Sequence, residues 1–282
     1  MTAVPPRAAA LRFALAFATT LLLPSTGCTG EKSSASATPA SRNAIDRVDQ
    51  ESTGEVVISR PSTPYTGRAL STAGTVSGTV TLRSPLKPFD PVPSGRDSAV
   101  CGATIPDSSL ERRGSGVGDV VVWLEGVRAG KPIPLEKRLE LESDKCLLTP
   151  RVQGAVVGSA VNVIGHDDFR QHLRFLVAGE TQPRAAVLLG RDEQVIPTEL
   201  PAKSPGLVVV RDADHPWVRG YVAVFDHPYF AVTKPDGSFT IDGVPPGKYT
   251  LVAWHERAKR TEQPVEVPAH GAAKADVVLE GK

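Results

Sequence analysis

Residues 236–251 read DGSFTIDGVPPGKYTL, two short segments that mix apolar and polar residues and are bounded by turn residues. Pro235 presets its own φ and Gly237 accepts a positive φ, so together they predict a tight turn between two strands. Val244-Pro245-Pro246-Gly247 predicts a second reversal before a strand over 248–254. Short strands joined by tight turns are typical of an antiparallel β-sheet.

The sequence from residue 74 onward repeats this pattern. Residues 75–82 alternate apolar with polar residues, which indicates a half-buried strand, and residues 120–124 form a continuous apolar run of strand length. Gly and Pro number 25 each, and no window of twelve residues shows helical periodicity. We therefore predict an all-β fold class of antiparallel Greek-key β-sandwiches. The pattern leaves open whether there is one elaborated sandwich or two.

The first 27 residues have the composition of an export signal. Arg7 and Arg12 accompany an apolar stretch over 13–23, which has the length of a signal-peptide core and is too short to span a bilayer. Ser25-Thr26-Gly27-Cys28 resembles a bacterial lipobox, although Ser25 stands where Leu is usual. We predict a signal peptide over 1–27 and lipidation of Cys28; cleavage near Cys28 by an ordinary signal peptidase is the alternative. Either route exports the protein, and the lipid would anchor it in the bacterial cell envelope, on the periplasmic or outer-membrane side.

Residues 28–73 separate this anchor from the strand-rich part. They are rich in Ser, Thr, Ala and Pro and lack apolar periodicity, which predicts a disordered linker. The chain has 32 Lys and Arg against 31 Asp and Glu, and we find no basic run or acidic tail. This balance gives no indication of nucleic-acid binding. We expect an envelope protein, a glycan or a small ligand as partner, with membrane contact through the lipid only.

The two remaining cysteines, Cys101 and Cys146, form an even pair once Cys28 is acylated. Exported proteins meet an oxidising environment, so we predict a disulfide between them. It would close a loop of about 45 residues and contribute on the order of 4 kcal/mol in the chain-entropy model. Two free thiols are the alternative.

The C-terminal motif quoted first is similar to the carboxypeptidase regulatory-like (transthyretin-like) module, whose pattern is DGxFxIxGVPPGxYTL. Residues 74–80 resemble the first strand of that module. The resemblance implies a small β-sandwich over 228–282, with which residues 74–83 could pair. It also implies a domain that accompanies other domains and usually has no catalysis of its own.

The middle of the chain, 74–227, resembles the cupredoxins, in particular exported plastocyanin-like proteins fused to the same module. The resemblance rests on segments 146–152, 157–163, 168–172, 212–217, 226–233 and 254–256. It implies a cupredoxin-like sandwich joined to the regulatory-like module.

The cupredoxin resemblance also implies where copper ligands would fall. They would be His172, a cysteine at Asp212, His215 and a methionine at Val218. A blue-copper site needs the thiolate and uses a weak axial Met, yet the sequence has Asp and Val there and its one methionine is Met1. We therefore expect a degenerate copper site and no cofactor.

Two hypotheses about function follow. The first is a non-enzymatic envelope lipoprotein with a binding or structural role, because we find no His-x-x-Glu, Gly-x-Ser-x-Gly, P-loop or Rossmann motif. The alternative is a metal-binding or electron-transfer protein that uses His172, His215 and Asp212, with His166 and Asp168 near enough in sequence to contribute. Two imidazoles and a carboxylate suit Zn, Fe(II) or Cu(II) better than Cu(I).

Overall fold

The structure is a computed structural model that describes residue 58 and residues 63–191 and 194–282. The predicted signal peptide, Cys28 and most of the predicted linker lie outside the described residues. In the part of the chain described, no helix has the length and apolar character needed to cross a membrane.

The described chain is built almost entirely of short strands. In order they are β1 (Thr66–Gly67), β2 (Gly74–Leu82), β3 (Val92–Pro93), β4 (Thr104–Ile105), β5 (Arg112–Arg113), β6 (Gly116–Val117), β7 (Val121–Glu125), β8 (Ala129–Gly130), β9 (Arg138–Asp144), β10 (Leu147–Thr149), β11 (Val152–Val156), β12 (Ala160–Gly165), β13 (Gln171–Val177), β14 (Ala185–Leu189), β15 (Gln194–Glu199), β16 (Gly206–Asp212), β17 (Arg219–Phe225), β18 (Phe230–Val232), β19 (Ser238–Val244), β20 (Gly247–Trp254), β21 (Thr261–Val267), β22 (Ala272–Lys274) and β23 (Val277–Leu279). A 3-10 turn (Gly95–Asp97) and the short helix α1 (Ser98–Cys101) lie between β3 and β4.

Four sheets lie in successive layers. The first sheet has the order β10-β9-β12-β15, the second β11-β17-β16-β13-β14, the third β18-β7-β20-β21, and the fourth β19-β2-β6-β5 with β22 and β23 beside β2. One apolar core lies between the first and second sheets, a middle core between the second and third, and another between the third and fourth. The predicted all-β fold class of antiparallel sandwiches is confirmed, and two sandwiches share the middle core.

The two inner sheets explain the continuous apolar runs of the sequence. Val208 and Val210 in β16 face the core shared with the first sheet, whereas Leu207 and Val209 face the middle core. Strand β17 is buried at every position. A strand that is buried on both faces needs no polar alternation, so β16 and β17 can be apolar along almost their whole length.

Hydrogen bonding groups two early strands with the C-terminal part of the chain. Strand β2 pairs with β19 in antiparallel register, Val76 lying opposite Ile241, and β7 pairs with β20, Val122 lying opposite Ala253. The boundary between 227 and 228 stays a prediction, but the C-terminal sandwich contains both of these strands.

The last residues of the predicted linker pair with the folded part. Strand β1 runs parallel to β8, and the Tyr65 hydroxyl donates a hydrogen bond of 2.6 Å to the carbonyl of Lys131. Ile58, nearer the N terminus, is buried in the middle core. The chain therefore enters the folded part before Gly74.

Candidate functional site

The loop between β16 and β17 contains the residues that the cupredoxin resemblance singled out. Asp212 ends β16, and its backbone N–H donates to the Val218 carbonyl at 3.1 Å, which closes the loop. The Asp212 Oδ1 atom accepts the backbone N–H groups of Asp214 (2.8 Å) and His215 (2.9 Å). Its Oδ2 atom accepts the backbone N–H of His172 in β13 at 2.7 Å. Asp212 thus fixes the loop and joins it to the neighbouring strand.

The His215 ring lies between two carboxylates. Its Nδ1 is 2.8 Å from Asp212 Oδ1 and its Nε2 is 3.0 Å from Asp97 Oδ2. The His215 side chain is only 3% exposed, with the rings of Phe169 and Trp217 packed at centroid distances of 4.8 and 5.4 Å. An ionised carboxylate can only accept, so when Asp212 and Asp97 are both ionised, both ring nitrogens donate and the ring is an imidazolium.

The charges of this cluster fit that assignment. Burial alone lowers the pKa of His215, but its hydrogen bonds with Asp212 and Asp97 outweigh burial and raise the pKa above the ordinary value. Burial raises the pKa of Asp212, but hydrogen bonds from His215 and from the loop backbone lower it overall. Each charge stabilises the other, as opposite charges in contact do.

Asp97 reaches the histidine because a disulfide holds its segment in place. It lies at the end of the 3-10 turn that leads into α1, and α1 ends at Cys101. Cys101 is bonded to Cys146, which confirms the predicted disulfide. Cys146 is buried beside Phe169, with Trp217 packed against the same cluster. The disulfide and the ionic cluster therefore share their apolar packing.

The structure brings together three of the predicted site residues but gives them unequal environments. His172 has a side chain that is 48% exposed, and its Nδ1 lies 3.3 Å from Asp214 Oδ2. Asp212 and His215 are buried. Val218 is fully buried in the core between the first and second sheets, where an aliphatic side chain packs as a thioether would without offering a ligand.

The neighbouring polar residues also have structural partners. His166 Nε2 lies 3.4 Å from Glu142 at the surface, and Asp168 is exposed. The buried carboxylate is Asp167, which accepts hydrogen bonds from Ser143 Oγ at 3.1 Å and from the backbone N–H of Cys146. Asp167 was not among the predicted metal ligands.

Sequence reasoning also missed Asp97, which lies 118 residues from its partner His215. The one sequence signal was indirect. The predicted disulfide joins Cys101, four residues after Asp97, to Cys146, which belongs to a cupredoxin-like motif. The disulfide predicts that the segment around Cys101 lies near the loop that contains His215. It does not predict which residue of that segment contacts the histidine.

These residues do not fit a blue-copper ion. The thiolate and thioether positions hold Asp212 and Val218, and the two carboxylates lie on opposite sides of the His215 ring. Among the described residues, no three His, Cys, Asp or Glu side chains are grouped to hold a metal ion. Binding of Zn or Cu(II) by His172, His215 and Asp212 stays a prediction.

Comparison with known proteins gives one family match. Residues 206–280 match the carboxypeptidase regulatory-like domain, which confirms the predicted resemblance of the C-terminal part. The match begins at β16 in the second sheet and ends after β23 beside the fourth, so it spans parts of both sandwiches. A search of curated proteins found no match.

Several solved copper proteins are structurally similar to part of the chain. A copper-containing nitrite reductase from Thermus scotoductus matches with a TM-score of 0.27 and 20% identity, over 36% of this chain and 24% of the reductase. Amicyanin from Paracoccus versutus matches with a TM-score of 0.26 and 18% identity, over 33% of this chain and 84% of amicyanin. This chain spans about a quarter of the reductase. Scores this low establish no shared activity.

Proposed function

We propose that this chain is an exported, lipid-anchored protein of the bacterial cell envelope with a binding or structural role, and that it performs neither catalysis nor electron transfer. The observation behind this proposal is the Asp97–His215–Asp212 cluster. At the position where the cupredoxin resemblance places a copper ligand, both ring nitrogens are engaged with carboxylates at 2.8 and 3.0 Å.

Metal binding at His215 would disrupt this arrangement. The ring would have to lose a proton and one of its two carboxylate partners before a nitrogen could coordinate an ion. Breaking a buried ion pair by removing one partner costs about 3–5 kcal/mol, because the remaining charge is left without compensation. The cluster therefore favours a structural role for the loop, which holds the disulfide-bonded segment against the sandwich.

The matched domain supports the same assignment. A carboxypeptidase regulatory-like domain is of a regulatory type, and the near-neutral charge balance favours a protein, a glycan or a small ligand over nucleic acid. In this proposal the lipid on Cys28 holds the protein at the membrane, and the two joined sandwiches present the binding surface.

Two measurements test the proposal. First, the purified protein is titrated with Zn(II), Cu(II) and Cu(I), alongside variants His215→Ala and His172→Ala. We expect the wild-type protein to show no stoichiometric metal binding that is lost in His215→Ala or in His172→Ala. We also expect no intense thiolate-to-copper absorption. Tight one-to-one binding lost in both variants would instead establish the metal-binding alternative.

The second measurement addresses the anchor. Wild type and Cys28→Ser are expressed in a bacterium and their membranes are separated from the soluble envelope fraction. We expect wild type in the membrane fraction, labelled by a fatty-acid analogue, and the variant unlabelled. An unlabelled wild-type protein in the soluble fraction contradicts the lipid anchor and leaves the metal test unaffected.

A further inference from the structure

Residues 131–137 join β8 to β9, and we call them the Leu135 loop. The Leu135 side chain is 102% exposed, more than any other large hydrophobic side chain of the described residues. The other exposed ones are 37–57% exposed and lie in α1 or in strands: Val100, Leu188, Val195 and Val278. Single hydrophobic residues are common on protein surfaces, so the exposure of Leu135 alone does not mark a site.

Prolines and packing restrain the backbone of the Leu135 loop. Pro132 and Pro134 have restricted φ angles, which limits the conformations of the segment between them. A Cβ atom added to Gly67 would lie 3.1 Å from the Pro132 Cα, so β1 packs closely against the start of the loop. Ile133 is partly buried, whereas Pro134 and Leu135 are exposed. The loop therefore holds an aliphatic side chain in solvent on a restrained backbone.

The segment around the loop is basic. Residues 128–138 contain four basic residues and one acidic residue, which gives a net charge of +3: Arg128, Lys131, Lys137, Arg138 and Glu136. Lys137 Nζ donates a hydrogen bond to the Val157 carbonyl at 3.3 Å. Arg138 Nη1 donates one to Asn162 Oδ1 at 3.0 Å. Both acceptors are uncharged, so these hydrogen bonds do not neutralise the two bases.

One further base and one further acid lie beside this segment. The backbone N–H of Arg68 donates to the Gly130 carbonyl at 2.7 Å, and Arg68 is exposed. The Asp242 carboxylate lies close enough to Lys131 to interact with its charge. One positive and one negative charge are thus added, and the net charge around the Leu135 loop stays at +3. A charge of this sign attracts anionic surfaces.

An exposed aliphatic tip among bases fits the surface of an anionic membrane. Aliphatic side chains are stabilised when they enter the boundary between lipid headgroups and acyl chains, and Lys and Arg are attracted to anionic lipids. A protein partner fits less well, because a specific protein interface buries on the order of 1,000 Å² or more. One leucine at the tip of a loop provides little of that area.

The predicted linker keeps a membrane within reach of this loop. About thirty residues separate Cys28 from Ile58, and a flexible chain of that length has an r.m.s. end-to-end distance of about 30 Å. The proposed lipid on Cys28 would hold the folded part close to the membrane surface. Such a link raises the effective concentration of the membrane to about the millimolar range, so a contact that is weak by itself can form.

We propose that the Leu135 loop contacts an anionic membrane surface, with Leu135 among the lipid headgroups and the surrounding bases near the lipid phosphates. The inference rests on the proposed lipid anchor, because the contact alone is weak. Insertion of Leu135 favours the bound state about tenfold, and each base near the surface favours it about fivefold. The contact orients the anchored protein so that the connection between β8 and β9 faces the membrane.

Amide hydrogen exchange of the full chain on vesicles tests this contact. The chain is reconstituted on vesicles of phosphatidylcholine alone or of phosphatidylcholine and phosphatidylglycerol in equal parts, and exchange is followed by mass spectrometry. We expect slower exchange at residues 133–138 on the mixed vesicles, because lipid contact excludes water from those amides. Residues 179–184, in the connection between β13 and β14, are the reference in the same molecule and should exchange equally on both.

Two variants separate the apolar contact from the charge. The protection against exchange gives the ratio of bound to free loop. We expect this ratio to fall about tenfold in Leu135→Ser and about fivefold in Arg128→Gln. The matched controls Leu188→Ser and Arg112→Gln change an exposed leucine in β14 and an exposed arginine in β5, and they should leave the protection as in wild type. High salt should reduce the protection in wild type by screening the charges.

Three results would overturn the proposal. The first is equal exchange of the Leu135 loop on both kinds of vesicle, and the second is protection that survives both Leu135→Ser and Arg128→Gln. The third is equal protection of concentrated protein without vesicles, which would assign the loop to a second copy of the chain.

Flotation of the vesicles on a density gradient reports the anchor separately. If the chain does not float with the vesicles, the proposed lipid anchor is wrong. The same exchange comparison with an excess of added vesicles then decides about the loop. Protection that is lost in Leu135→Ser supports the membrane contact, and an absence of protection overturns it.

Discussion

At the residue scale, the site depends on one buried imidazolium and two carboxylates from distant parts of the chain. Asp212 and His215 come from a single loop, where a short spacing lets one carboxylate bind both the ring and the loop backbone. Asp97 comes from a segment that the disulfide positions. The loop could be identified from the sequence because its residues are close together along the chain. Asp97 could not be identified from the sequence, because its contact with His215 depends on tertiary packing.

Replacing Asp97 with Asn tests this cluster. We expect Asp97→Asn to lower the free energy of unfolding by about 1–3 kcal/mol, because a charge-assisted hydrogen bond to a buried donor is weakened. We also expect the pKa of His215 to fall, as measured by NMR titration of the ring. Asp168→Asn, which changes an exposed aspartate in the same region, is the control and should change neither quantity.

The contribution of this cluster to the free energy of unfolding should fall as pH rises. The folded-state pKa of His215 is raised above 6.5, so its contribution to stability is fully present below pH 6.5 and is lost as pH rises through the folded-state pKa. In Asp97→Asn this loss should be smaller. A loss at high pH as large as in wild type would show that Asp97 does not set the charge of His215.

The pKa of His255 is shifted downward, in the direction opposite to that of His215. Burial lowers the pKa of His255 to about 4, and the nearby Glu256 only partly offsets this, while its Nδ1 accepts the backbone N–H of Arg257 at 3.1 Å. A depressed pKa means that protonation favours the unfolded chain, so stability is lost as pH falls from 6.5 towards 4. The loss should reach about 3 kcal/mol, at 1.36 kcal/mol per unit.

The variant His255→Asn should reduce that loss, because Asn can accept the same backbone hydrogen bond without titrating. The measurement is the free energy of unfolding by denaturant at pH 7, 5.5 and 4.5. His270→Asn changes an exposed histidine. It should leave the dependence of the free energy of unfolding on pH as in wild type. If the free energy of unfolding of His255→Asn depends on pH as strongly as that of wild type, another group causes the acid sensitivity.

At the element scale, three strands of the two inner sheets, β7, β16 and β17, do not alternate buried with exposed residues as amphipathic strands do. The run 120–124 was predicted as a strand from its length and apolar character, and β16 and β17 have similarly apolar sequences. Their partners could not be derived, because a continuous apolar run fits any position that is buried on both faces. The pairing of β7 depends on contacts between residues more than 100 positions apart, as between Val122 and Ala253.

The burial of both faces of β16 predicts a sharp contrast between two leucines of the second sheet. Leu207 in β16 is 1% exposed in the middle core, whereas Leu188 in β14 is 53% exposed. We expect Leu207→Ala to lower the free energy of unfolding by about 3 kcal/mol through lost burial and a cavity. The same change at Leu188 should cost no more than about 0.5 kcal/mol. Equal costs in equilibrium denaturation would mean that the middle core is not packed as described.

At the scale of the whole molecule, the order of strands in space differs from their order in the sequence. The C-terminal sandwich uses β2 and β7 from the N-terminal half of the chain, and the other sandwich lies between those strands and β18 along the sequence. The motif at 236–251 was sufficient to recognise the C-terminal module and the possible pairing of residues 74–83 with it. It contained no information about β7, which has the composition of any buried strand.

This arrangement predicts how fragments of the chain behave. Residues 228–282 alone lack β2, the central partner of β19, β22 and β23, and they also lack β7, which joins β18 to β20. Removing both strands exposes backbone groups and the apolar faces of the core. We therefore expect this fragment to be unfolded by circular dichroism and NMR, whereas the full chain is folded and loses both sandwiches in a single transition because they share the middle core. A fragment with dispersed amide signals would show that the C-terminal module is complete without its N-terminal strands.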